Sequence, residues 1–228
     1  MIKLRGHRQK PRLAAPGGED EPIRFELFSN ERLEQHAVSL AKAQKAEVHP
    51  DGLKLMPRVR ENSRVLFDAY QTIGKAAREH RAITPAAEWL LDNFHVIEEQ
   101  INDINLYLPE KFYKQLPKLT DGFLAGYPRV YGIAWALVAH TDSRFSPEQL
   151  ACFMRAYQQV QPLSIGELWA LPISLRIVMI ENLRRLALKI MRSQAGRQLA
   201  DEFIDQADLP VFSPRTAGLP AEPLRQAL

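Results

Sequence analysis

Four side chains that can bind a metal or transfer a proton recur along one segment of the sequence. Their spacing of i, i+4, i+7 and i+11 places them in one narrow row on an α-helix, and they are Glu88, Asp92, His95 and Glu99. Asp92 and His95, three residues apart, resemble half of a dinuclear carboxylate site, which needs such a pair from each of two helices. The sequence offers no second pair. We therefore favour a solvated or partner-facing polar row, and these four residues remain the metal candidates.

A second group contains the residue types of a hydrolase triad, namely His140, Asp142 and Ser143. A triad requires a nucleophile held against a base that a carboxylate orients, and these groups usually come from separate elements. The Gly-x-Ser-x-Gly motif of many serine hydrolases is absent. We interpret His140 and Arg144 instead as the end of a helix, where cationic side chains meet free carbonyl groups.

Charged residues also interrupt the most apolar long segment, which begins near Ser164. Burial of an unpaired charge is costly. Glu181 precedes Arg184 and Arg185 by three and four residues, which is the spacing of neighbours on a helix. We predict structural ion pairs among Arg176, Glu181, Arg184 and Arg185, and we predict no catalytic or cofactor-binding residue in the chain.

Helices must position all of these groups, because apolar residues recur at steps of three and four and helix-start signals precede them. Ser29 is a predicted N-cap, Pro57 opens a second helix, and Thr84 with Pro85 opens a third that runs to Leu108. Residues 109–117 are predicted as an irregular link. Capping boxes begin two further helices at Ser146 and Ser164.

Residues 130–139 form a different kind of helix, because their apolar side chains point in every direction. Such a helix is buried in a core or spans a membrane. Ten residues fall short of the roughly 20 that a span requires, so we predict the core helix here. The three tryptophans, Trp89, Trp135 and Trp169, stand at helical spacing and are predicted to be core residues as well.

The fold class that follows is all-α, an irregular bundle of roughly six or seven helices with flexible tails. Residues 1–24 are predicted to form a flexible, basic, Pro/Gly-containing arm. Residues 25–207 form the helical domain, and residues 208–228 form a proline-rich tail or linker.

Composition narrows the functional classes further. The 228 residues are 46% hydrophobic with a net charge of +3 and a single cysteine. This hydrophobic content suffices to bury a core, so a disordered polymer is excluded, and one cysteine excludes a disulfide scaffold. A phosphate-binding loop, a zinc spacing and a basic-aromatic RNA signature are all missing. We expect no nucleic-acid partner.

Five runs of residues resemble the N-terminal region of cyclic β-1,2-glucan synthases, and together the resemblance extends over about residues 25–192. The runs are FSNERLEQHA (28–37), ITPAAEWLLDNFHVIEEQI (83–101), GYPRVYGIAWALVAHTDSRF (126–145), QPLSIGELW (161–169) and ENLRRLA (181–187).

The resemblance implies a much longer, multi-domain enzyme of the bacterial inner membrane. Its transferase part uses UDP-glucose and a divalent metal to build β-1,2-glucan, and a phosphorylase-like part follows. The region seen here would lie on the cytoplasmic side and would contact the remaining domains of the synthase or its membrane part. The Asp-x-Asp and Gln-x-x-Arg-Trp motifs of such transferases are absent. The resemblance therefore implies a non-catalytic portion, a fragment without a cofactor of its own.

A stand-alone enzyme is the alternative, either a helical carbohydrate-active enzyme or a metal-carboxylate enzyme built on the row from Glu88 to Glu99. Inverting glycosidases need two carboxyl groups about 6.5–9.5 Å apart across a cleft. One helical row cannot supply both walls, so Glu167 or Glu181 would have to face it.

Overall fold

The computed structural model describes residues 18, 20–48, 52–108 and 110–206. Within these residues the chain forms eight helices and one two-stranded sheet, so the all-α prediction is confirmed. The elements are α1 (Asn30–Ala43), β1 (Ala46–Glu47), α2 (Leu55–Arg78), α3 (Pro85–Asp92), α4 (Phe94–Tyr107), α5 (Glu110–Gln115), β2 (Lys118–Leu119), α6 (Arg129–His140), α7 (Pro147–Gln158) and α8 (Ile165–Gln206).

The core is built around α6, whose residues from Val130 to Ala139 are all buried. This confirms the prediction drawn from its uniformly apolar sequence. Gly132 lies so close to β2 that a Cβ atom would stand 2.8 Å from the Leu119 Cδ1 atom. A glycine at this point therefore lets α6 approach the sheet.

Most helix starts follow the predicted chemistry. The Ser29 and Thr84 hydroxyls each accept a hydrogen bond from the backbone N–H three residues later. Ser146 and Gln149 form a reciprocal capping box, as do Ser164 and Glu167 at the start of α8.

The predicted third helix is wrong in one respect, because it is two helices. The chain breaks at Asn93, whose side-chain amide donates to the Trp89 carbonyl at 2.8 Å. A short polar side chain that bonds to nearby backbone competes with the helix in this way. The predicted irregular link also contains a helix, α5, and the small antiparallel sheet pairs Ala46 with Leu119. These additions raise the number of helices above the six or seven expected.

Residues 20–28, which we call the N-terminal strap, lie against α6 and α8. Ile23 is 2% exposed, and its backbone N–H donates to the Asn182 side chain at 2.6 Å. Phe25 and Phe28 donate backbone hydrogen bonds to the carbonyl groups of Ala139 and His140. The predicted boundary between arm and domain at residue 25 therefore falls inside a packed segment.

One compact unit ends at Gln194, and the last turns of α8, from Ala195 to Gln206, belong to a second unit. Residues 1–17 of the predicted arm and the predicted tail at 208–228 lie outside the described residues.

Candidate docking groove and buried ion clusters

The predicted polar row lies on the surface. Glu88 and Asp92 are on α3, His95 and Glu99 are on α4, and all four side chains are exposed. Within the part of the chain that the structure describes, no group of three or more His, Cys, Asp or Glu side chains is arranged to hold a metal ion. The row therefore presents negative charge to its surroundings.

The triad candidates at the end of α6 bind three different groups. The His140 Nδ1 atom is 2.8 Å from the Glu26 carbonyl oxygen, and Asp142 pairs with Arg24 at 3.3 Å. Ser143 accepts a hydrogen bond from the Asn182 amide at 2.9 Å. Since nucleophile, base and carboxylate point to separate partners, this cluster closes the helix end and is not arranged as a triad.

An aromatic cluster surrounds the same helix end. The Phe28 ring stacks on His140 with centroids 4.0 Å apart, and the His36 ring lies 4.5 Å from His140. Burial, together with the charge of the neighbouring His140, lowers the pKa of His36 from 6.5 to about 4. His36 is therefore neutral near pH 7 in the folded chain.

Glu181 is the centre of a buried ion cluster that joins α2 to α8. Its side chain is 0% exposed, and Arg58 donates to it twice, at 2.9 and 2.6 Å. Asn62 donates at 2.7 Å and the Arg185 Nε atom at 2.9 Å, while Arg184 stands at 3.4 Å. Burial alone would raise the pKa of the Glu181 carboxyl, but these donors, Arg58 foremost, outweigh it and lower that pKa.

The same arginines hold the N-terminal strap. Arg185 is 2% exposed and donates to the carbonyl groups of Gly18 and Glu21, and its guanidinium lies 5.1 Å from the Trp135 ring. Arg184 pairs with Asp20 at 3.1 Å. Arg176, in contrast, stands apart from this cluster and pairs with Asp103 of α4 at 3.3 Å.

Sequence spacing within α8 indicated Arg184 and Arg185 as partners of Glu181, but it did not reveal Arg58 or Asn62. Those two residues are 123 and 119 positions away. One local signal was present, because Asn62 occupies a buried position on the apolar face of α2. A polar residue in such a position must find a partner inside the core.

Glu167 forms a second buried cluster at the start of α8. It is 1% exposed and receives two hydrogen bonds from Arg129 of α6, at 2.8 and 2.7 Å. Glu167 and Glu181 were the only carboxylates that we considered as a second wall for an enzyme site. Both are bound by arginines inside the core, whereas the row from Glu88 to Glu99 is on the surface. The geometry does not favour the stand-alone enzyme.

A largely apolar groove of about 400 Å³ lies between the α3–α4 segment and α8. Its floor is formed by Ile97 and Ile180, which are buried. Its rims carry large apolar side chains that remain 40–54% exposed, and these are Trp89, Val96, Met179 and Leu186. Clustered exposed apolar side chains of this kind mark interaction surfaces more often than isolated ones do.

The three tryptophans differ in their exposure to solvent. Trp135 is 5% exposed and belongs to the core as predicted, but Trp89 is 54% and Trp169 is 77% exposed. The core prediction is wrong for these two. On α3, Trp89 lies beside the buried apolar residues, so its helical position suggested burial. No described element covers it.

No helix in the described ranges is both long enough and apolar enough to cross a membrane.

The comparisons with known proteins give one informative similarity. Over 188 residues, which is 82% of this chain, the sequence is 40% identical to the cyclic beta-(1,2)-glucan synthase NdvB of Rhizobium meliloti (strain 1021). The chain spans only 7% of the length of that relative. No protein-family model matches the chain. The resemblance to cyclic β-1,2-glucan synthases is thus confirmed, and it concerns a small part of such a protein.

Proposed function

We propose that this chain is a non-catalytic helical portion of a cyclic β-1,2-glucan synthase and that it supports synthesis by packing against other parts of that enzyme. The observation that carries the proposal is the 40% identity over 82% of the chain, confined to 7% of the relative. A region of this size supplies one module of a far larger protein.

The chemistry of the described residues supports a structural role. The buried carboxylates Glu167 and Glu181 are neutralised by arginines, and the exposed acidic row forms no metal-binding group with other described residues. The transferase motifs are missing from the sequence. We propose that UDP-glucose, the divalent metal and glucose transfer belong to the remaining part of the synthase. The resemblance, rather than the geometry, is the basis for proposing that this module lies on the cytoplasmic side of the inner membrane.

A chimeric synthase tests the proposal. The segment of the Rhizobium meliloti synthase that matches this chain is replaced by the corresponding 188 residues, and membranes are assayed for β-1,2-glucan made from labelled UDP-glucose. We expect the chimera to make glucan and a variant that lacks the segment to make little or none. Equal synthesis without the segment would show that the module has no role in the reaction.

A second assay tests the non-catalytic assignment. The purified 228-residue chain is incubated with UDP-glucose in the absence of membranes and with a divalent metal. We expect no release of UDP above background. Turnover by the chain alone would overturn the assignment.

A further inference from the structure

The groove between the α3–α4 segment and α8 is long enough to hold about three turns of one helix. Its lining runs from Trp89 to Gln100 on one wall and from Arg176 to Leu186 on the other. The second wall lies within α8, so at 1.5 Å per residue it is about 15 Å long.

The α8 wall has the spacing that receives a helix. Met179, Leu183 and Leu186 follow one another at steps of four and three and form one apolar ridge. An amphipathic helix recognised in a groove inserts anchors at i, i+3, i+4 and i+7, which interlock with a ridge of that kind. Methionine adapts its shape to such an anchor because its side chain is flexible and polarizable.

The charge along the outer rim restricts the occupant. Glu88, Asp92 and Glu99 each precede a groove-lining residue by one position, which on a helix is a rotation of about 100°. They are exposed, so they border the groove on the side away from the core. Arg176 of the opposite wall is paired with Asp103. The negative border on the α3–α4 side therefore favours a partner with lysine or arginine beside its apolar stripe, and it opposes contact with an anionic lipid surface.

We propose that the groove binds an amphipathic α-helix with a basic flank, supplied by another part of the same synthase polypeptide. This inference rests on the proposed function. The relative contains more than nine tenths of its length outside the matching segment, so a covalently linked partner is available at high effective concentration. A second copy that docked groove to groove would bring two acidic borders together, which like-charge repulsion opposes.

Oxidative footprinting of tryptophan in the chimeric synthase tests the inference, because Trp89 lines the groove and its rate of oxidation reports its exposure. In the isolated chain Trp89 is 54% exposed and should be oxidised readily, while Trp135, 5% exposed, should not. We expect the oxidation rate of Trp89 in the chimera to fall to that of Trp135. A rate that stays equal to that of the isolated chain would overturn the inference, and glucan synthesis by the same chimera would leave the proposed function intact.

A matched pair of variants on α4 tests whether the groove itself is responsible. Val96→Glu puts a charge on the groove wall, whereas Leu106→Glu puts one at a more exposed position of the same helix outside the groove. We expect Val96→Glu to restore Trp89 oxidation in the chimera and Leu106→Glu to leave it protected. Equal effects of the two variants would contradict the inference.

A photo-crosslinking amino acid at Met179 of the chimera identifies the occupant. We expect a crosslinked peptide from outside the replaced segment, with apolar residues at helical spacing and lysine or arginine beside them. Crosslinks to lipid alone, crosslinks between two copies of this segment, or no crosslink would each overturn the assignment.

Discussion

The substitution Glu181→Gln tests the idea that the ion cluster between α2 and α8 holds the domain together. It keeps the shape of the side chain but removes the buried negative charge that accepts hydrogen bonds from Arg58 and Arg185. Arg185 is 2% exposed, so water cannot replace the lost partner. The amide also brings an NH₂ donor toward donors that need an acceptor.

The expected loss follows from that burial. Removing one member of a buried ion pair destabilises a protein by about 3–5 kcal/mol, because the remaining charge is left uncompensated. The total free energy of unfolding of a small protein is about 5–15 kcal/mol. We therefore expect Glu181→Gln to remove a large share of the free energy of unfolding.

Urea denaturation at pH 7, followed by circular dichroism, measures this loss. Asp103→Asn is the matched control, since it also converts a carboxylate to an amide and breaks the partly exposed pair with Arg176. Exposed pairs contribute about 0–1 kcal/mol. If both substitutions lower the unfolding free energy by the same small amount, the cluster at Glu181 does not stabilise the fold as argued.

The pH dependence gives an independent check. The pKa of Glu181 lies below its usual value of 4.5 in the folded chain, so the unfolded chain binds the proton first as the pH falls. The stabilisation by Glu181 is complete above the unfolded pKa and is lost as the pH falls through the folded pKa. We expect Glu181→Gln to flatten this acid limb of the stability curve.

Three further predictions concern other parts of the domain. Trp135→Ala should lower the free energy of unfolding by roughly 3–5 kcal/mol, the usual range for truncating a buried large aromatic, and a loss under about 1 kcal/mol in urea denaturation would contradict the placement of α6 at the core. Asp92→Asn combined with Glu99→Gln should leave the melting temperature of the isolated chain unchanged, because both side chains are exposed, and a clear decrease in calorimetry would show that the row has partners within the domain. In the folded chain the pKa of His36 is lowered from 6.5 to about 4, so the unfolded chain binds the proton first. We therefore expect the free energy of unfolding to fall as the pH falls through that interval. Replacing His36 by phenylalanine should make stability less dependent on pH there, and an unchanged slope would refute the assignment.

Local patterns predicted the parts of the fold that depend on local chemistry. The uniformly apolar sequence of α6 indicated burial on all sides, and the capping boxes at Ser146 and Ser164 marked the starts of α7 and α8. The break at Asn93 was missed because the apolar spacing continues from α3 into α4. The backbone leaves the helical conformation at Asn93, where the side chain also donates to the Trp89 carbonyl, and periodicity does not report such a change.

Sequence spacing predicted one part of the candidate site, the acidic row, but not the groove. The acidic row from Glu88 to Glu99 follows from helical spacing within one segment. The groove beside it depends on how far α8 lies from α4, which a single sequence does not state. We assigned Trp89 to the core because of its residue type. Its exposure depends instead on which other elements pack against it.

The N-terminal strap has a consequence for synthesis on the ribosome. Asn182, the hydrogen-bond partner of Ile23, is made 159 residues after it. At about 5–20 residues per second, the strap waits roughly 8–30 s before it can dock. During that interval Ile23 is exposed to chaperones and proteases. The strap therefore docks only after α8 has been made.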